Sequence, residues 1–281
     1  MLATTFEVHQ GYQVRVARLG SGTPMVLLHG YPDTLQIWNR LAPYLAAHFQ
    51  VIAFDWPGMG QSELWPGGAT PFHQAERLTV LLTEWQVEKA IVVGIDMGGQ
   101  PALAFAARHP DRALAIVVMN SLVQWDEKTS WEITLLRKFG WNRFMLRHFP
   151  RLVFARALRT FLGLGVGLDC AERSDMWESF RRREVREFII RMCAGYQGTL
   201  PHLTKLYPTI QTPTLLLWAE HDRHFPPDHA RRVEAVLPHA RVEVLSGAEH
   251  WMILSRPSQV ARCIVEITRD LPLRVQPSTR S

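Results

Sequence analysis

Cysteine is scarce: Cys170, Cys193 and Cys263 are the only three in 281 residues, scattered and odd in number. Such spacing offers neither a disulfide framework nor a cysteine-based metal site, and it predicts a reducing, cytoplasmic setting. No apolar run approaches the length of a membrane span, which excludes a transmembrane-helix reading. The opening residues, MLATTFEVHQ, lack a basic segment followed by an apolar one, so no signal peptide is expected. Nor does any basic run alternate with stacking aromatics. The net charge of +5 therefore reads as arginines spread over solvated surface, with no nucleic-acid partner expected. What remains, 47% hydrophobic and 20% charged, is the make-up of a globular chain able to bury a sizeable core.

Apolar strand-length runs alternate with helical stretches through the first half. Thr4–His9 and Tyr12–Leu19 read as a hairpin joined across Gln10-Gly11. Pro24–Leu28 is a buried strand running into His29-Gly30-Tyr31-Pro32-Asp33, followed by a helical stretch over Ile37–His48. Val51–Phe54 is a strand leading into a glycine-rich turn, Pro71–Trp85 reads as an amphipathic helix, and Ala113–Met119 is a further strand. This alternation predicts a mainly parallel sheet covered by helices on both faces.

The rhythm breaks after Asn120. From Leu122 to His202 there is no buried strand pattern, only helical stretches rich in Arg, Trp and Phe, with a glycine patch at Phe161–Asp169. Strands resume at Pro213–Trp218 and Arg241–Leu245; a last helix is expected over Pro257–Leu271, and the tail RVQPSTRS is expected to be frayed.

One stretch organises the rest. Ala90–Gly99, AIVVGIDMGG, is a short apolar strand that stops at Asp96 between Gly94 and Gly98-Gly99, and a helical segment follows. An Asp between glycines is commonly a turn former. Here, however, strand, Gly-x-nucleophile-x-Gly and helix resemble the nucleophile elbow of the α/β-hydrolases, with Asp96 where most members carry Ser. Two further tips fill the family's order of nucleophile, acid and histidine. Asp222, in WAEHDRHFPP, resembles the acid turn, with Glu220 as a nearby rival; His250, in SGAEHWMILSRP, resembles the histidine turn. His221 and His224 are read as solvent-exposed loop histidines, and no metal site or cofactor is expected. The resemblance implies an α/β-hydrolase core over 1–121 and 203–281, with an inserted helical cap over 122–202.

An elbow Asp changes the chemistry. A carboxylate with an unperturbed pKa of roughly 3.9 is ionised at neutral pH and needs no base to activate it. Attack on an acyl carbon would give a mixed anhydride, whereas attack on an sp3 carbon bearing a leaving group gives an alkyl ester. His250, oriented by Asp222, would then activate water against that ester. The resemblance places the backbone N–H groups of Tyr31 and Met97 as oxyanion donors, and HGYP resembles the family's H-G-x-P loop with a cis Tyr31–Pro32 bond.

Two Asp-nucleophile groups come into view by resemblance, epoxide hydrolases and the haloalkane or haloacetate dehalogenases. Dehalogenases usually carry Trp or Arg directly after the nucleophile; here that residue is Met97. Epoxide hydrolases use two cap tyrosines. Tyr196 resembles the second, while no tyrosine lies between Leu122 and Gly195, so His148 or Trp141 is the expected substitute donor. The expectation is hydrolysis at an sp3 carbon, epoxide opening first and dehalogenation second, on a small apolar substrate, by a monomer or homodimer. A hydrolase-like binding protein is the alternative of another class.

Overall fold

The computed structural model describes residues 1–138, 140–162 and 166–269. The expected tail, the last two residues of the expected final helix and the middle of the glycine patch (163–165) lie outside the described residues. The chain opens with a hairpin, β1 (Thr5–His9) and β2 (Tyr12–Leu19), whose turn residues Gln10 and Gly11 both take positive φ. Two positive φ values match the right-handed twist of the strands they join. β3 (Pro24–Leu28) follows, then α1 (Ala42–Ala46), β4 (Gln50–Phe54), α2 (Pro71–Glu84), β5 (Ala90–Ile95), α3 (Gly99–Arg108) and β6 (Ala113–Met119). Next come α4 (Trp131–Lys138), α5 (Gly140–His148), α6 (Pro150–Phe161), α7 (Cys170–Phe180) and α8 (Arg183–Leu206). The chain then returns to the sheet through β7 (Thr214–Ala219), α9 (Asp228–Glu234), β8 (Ala240–Leu245), α10 (Met252–Ser255) and α11 (Pro257–Thr268).

Among the described residues the strands form one eight-stranded sheet in the order β1-β2-β4-β3-β5-β6-β7-β8. β2 pairs antiparallel with β1 and β4, and every later pairing is parallel. Helices flank it, α2 packed on α3 and α1 on α11. This is the mainly parallel α/β architecture that the sequence pattern predicts. β5 is central and buried at all six positions. Its Ile91, Val92, Val93 and Ile95 each contribute about 1.5–3 kcal/mol through burial, which fixes the strand that ends just before Asp96.

One expected helix divides. The stretch over Ile37–His48 is a 3-10 turn, Leu35–Trp38, followed by α1, because Pro43 has no N–H to continue a helix and fits only in a first turn. Between β6 and β7 the described residues hold helices and no strand, and α8 continues through Pro201 to Leu206, past the expected boundary at His202. Leu200 and Leu203, both fully buried, hold that last turn in place. Among the described residues no helix is long and apolar enough to cross a membrane.

Candidate active site

Three strand tips converge. The turn after β5 is sharp enough that a Cβ on Gly94 would lie 2.2 Å from the Gly98 carbonyl oxygen, and one on Gly98 would lie 2.2 Å from the Leu28 carbonyl oxygen. Asp96, between them, takes φ of 51°. A left-handed conformation costs a non-glycine residue about 1–3 kcal/mol, and it presents the carboxylate at the sheet edge instead of folding it into the helix. The Ser121 hydroxyl donates to the Asp96 carbonyl at 2.6 Å and pins the turn. Tyr31, after the HGYP bend with its cis Tyr31–Pro32 bond, donates its backbone N–H to Asp96 Oδ1 at 3.0 Å. His29 supports that bend: its Nδ1–H donates to the Gly30 carbonyl, and its Nε2 accepts the Trp56 N–H at 3.2 Å. Burial pushes its pKa down to about 4, so it holds the loop as a neutral ring.

The other Asp96 oxygen, Oδ2, lies 3.6 Å from His250 Nε2, and His250 Nδ1 donates to Asp222 Oδ2 at 2.7 Å. Asp222 Oδ1 accepts the backbone N–H groups of His224 and Phe225 at 2.7 and 3.0 Å. Burial opposes ionisation of Asp222, but the His250 charge and these hydrogen bonds outweigh it and hold the carboxyl below its usual range. Burial likewise opposes protonation of His250, yet the carboxylates of Asp222 and Asp96 raise it to about 10. Glu220, the rival acid, faces away and accepts from Ser246 and Gly247. Asn120, at the tip of β6 with φ of 42°, clamps the arrangement by donating to the His250 carbonyl and accepting the Ala219 N–H.

Two cavities lie at these strand tips. The inner one, about 20 Å³, is lined by Asp96, Met97, Gln100, Cys193 and Tyr196 among others. Tyr196 is buried and donates to Gln100 Oε1 at 3.4 Å. The outer one, about 300 Å³, lies among α4, α5 and α6 and is walled by Trp131, Leu135, Trp141, Met145 and Phe161. Tyr31 and Ile133 line both and form the partition. Phe161 stacks on His250 with ring centroids 4.5 Å apart.

The structure therefore brings Asp96, Asp222, His250, Tyr31, Met97 and Tyr196 together. It does not bring His148 to them. His148 is at the exposed end of α5 and lines a separate surface groove with Arg151 and Trp177, because helical spacing sets it against Phe144, one turn earlier on the solvent edge. Trp141 stacks on the same Phe144 and is 65% exposed, reaching only the outer cavity. His224 also departs from expectation: it is 1% exposed, because the Asp222 carboxylate gathers the 224–225 amides and turns the loop inward. Sequence reading missed Gln100, Phe161 and Asp33. Gln100 lies four residues beyond Asp96 on the helix that begins at the elbow, a spacing that was available. Asp33 carries no such signal; it is buried, and burial with the Asp96 charge pushes its carboxyl well above the usual range.

The sequence profile of the family described as alpha/beta hydrolase fold matches residues 23–257. A pimeloyl-[acyl-carrier protein] methyl ester esterase from Edwardsiella ictaluri is 28% identical over 250 residues, 86% of this chain and 92% of that one. Human epoxide hydrolase 4 is 24% identical over 85% of this chain and 70% of its own. Among solved structures, a haloalkane dehalogenase from Agrobacterium tumefaciens superposes with a TM-score of 0.81 at 21% identity, covering 95% of this chain and 96% of that one.

Proposed function

The chain belongs to the α/β-hydrolase fold family, and from that premise we propose that it hydrolyses at an sp3 carbon through a covalent ester on Asp96. One observation carries the reading: the elbow side chain is a carboxylate, its Oδ1 held by the Tyr31 N–H and its Oδ2 turned toward His250 Nε2. Oδ2 attacks the carbon, a C–O bond forms, and the leaving atom departs with the bonding pair. Esterification removes the charge on Asp96, one of the two carboxylates that keep His250 protonated. His250 then loses its proton more readily and becomes the base for water attacking the Asp96 carbonyl, with Asp222 orienting the ring. The oxyanion so formed sits where Oδ1 already accepts the Tyr31 amide, and the Met97 amide is the second donor. The helices between β6 and β7 act as the cap over this chemistry.

Epoxide opening is the leading activity, because Tyr196 lines the inner cavity beside Asp96 and its hydroxyl can deliver a proton to the ring oxygen. Dehalogenation is the second reading, favoured by the indoles of Trp131 and Trp141 in the outer cavity wall. The ester chemistry in the names of the esterase relatives fits this chain less well, since attack of Asp96 on an acyl carbon gives a mixed anhydride, which gains little over attack by water.

The test is a paired assay of styrene-type and aliphatic epoxides beside chloroalkanes, bromoalkanes and haloacetates, following diol and halide. With a turned-over substrate, His250→Gln accumulates an ester that intact mass and peptide mapping locate on Asp96, and Asp96→Asn abolishes turnover. Label on another residue overturns the nucleophile. Silence on both panels favours the binding-protein alternative.

A further inference from the structure

The outer cavity is walled mostly by apolar side chains; of its polar lining, Glu132 and Arg156 pair with each other, and the chemistry above leaves His224 unused. His224 lines it, 1% exposed, between Phe161 at 4.6 Å and His250 at 5.7 Å between ring centroids. Its Nδ1 is 2.7 Å from the Ser130 hydroxyl oxygen, while its Nε2 is buried with no hydrogen-bond partner. Ser130 Oγ also accepts the Ile133 N–H at 3.4 Å; with its own proton donated to Nδ1, the ring proton of His224 sits on Nε2. Burial first, and then the nearby His250, lower the His224 pKa to about 4, so the ring stays neutral at physiological pH.

A buried N–H without an acceptor has lost its hydration with nothing in return, and a bound molecule that supplies an acceptor recovers much of that loss. We propose that His224 Nε2–H anchors the substrate, selecting molecules that carry a hydrogen-bond acceptor, an ether or carbonyl oxygen, between the reacting carbon and an apolar or aromatic body. This rests on the sp3-carbon reading and names the substrate class for that site. The apolar body fits against Trp131, Leu135 and Met145, and the acceptor meets the buried, unpartnered His224 Nε2.

Phenyl glycidyl ether and 4-phenyl-1,2-epoxybutane test it, since they differ only by an ether oxygen in place of a methylene. The wild type is expected to favour the ether in kcat/KM by roughly tenfold, the size of one ordinary hydrogen bond. His224→Phe, which keeps a ring and removes the donor, brings the ratio near one, while His224→Gln retains part of it. A second arm needs no turnover: calorimetric titration of 3-phenoxypropane-1,2-diol and 4-phenylbutane-1,2-diol should show the same preference in Kd, again lost in His224→Phe. Thermal melts confirm that both variants fold. A preference unchanged by His224→Phe, or none in the wild type in either arm, overturns the role of His224. Discrimination between the diols with no Asp96 ester formed from either epoxide overturns the chemistry and leaves the anchor standing.

Discussion

At the scale of single residues the site is governed by the charge on Asp96. The His250 pKa of about 10 belongs to the resting arrangement, with two carboxylates nearby. A raised histidine pKa means the ring is protonated below that value and lost as a cation above it; as a base, it works only in the neutral form. The expected result is a two-phase pH dependence. Ester formation stays level across neutral pH, while ester breakdown rises with pH and levels off at an apparent pKa below 10, because the esterified Asp96 no longer helps hold the proton. Single-turnover mass spectrometry across pH measures both steps, with more trapped ester at the acidic end. Breakdown that is flat between pH 6 and 9 would sink this account of the base.

At the scale of elements, the elbow is a packing problem solved by glycine. Gly98→Ala drives a methyl group into the Leu28 carbonyl, so a loss of about 1–3 kcal/mol is expected with turnover falling alongside it. Urea unfolding followed by activity measurement checks both. This crowding also explains what was legible in advance. β5, its glycines and the three strand tips carry signals that are local in sequence, namely apolar runs, turn residues and order. The contents of the inserted helices do not. His148 and Trp141 have suitable chemistry, but which side of α5 faces the carboxylate depends on how α5 meets α6 and α8, contacts made between residues far apart in the chain. His224 was misjudged for a related reason: its inward turn depends on Asp222 accepting two amides, an arrangement that composition does not disclose.

At the scale of the whole molecule, the inserted helices are fastened unevenly. Asp175 on α7 pairs with Arg15 at 2.8 Å, accepts from Thr34 and Gln61, and lies in a buried network with Asp55. Glu172, three residues earlier, pairs with Arg40 at 2.8 Å and accepts from Asn39. Removing one partner of a buried ion pair costs about 3–5 kcal/mol, so Asp175→Ala should lower stability by that order, read as a shift in the denaturation midpoint. By contrast, Arg156 of α6 pairs with Glu132 of α4, and Arg147 of α5 with Glu187 of α8, so these ion pairs join inserted helices to one another.

That unevenness gives the roof a fixed jamb and a swinging edge. α7 is the jamb, and the side bearing Trp131, Trp141 and Leu152, each more than half exposed at the rim of the outer cavity, is expected to be the edge that swings. Amide exchange should then be fastest along α4 and α5 and slowest along α7. On the proposed chemistry, traffic to Asp96 would then pass beneath the aromatic edge, and the residues that first meet an incoming molecule would not be those that later transform it.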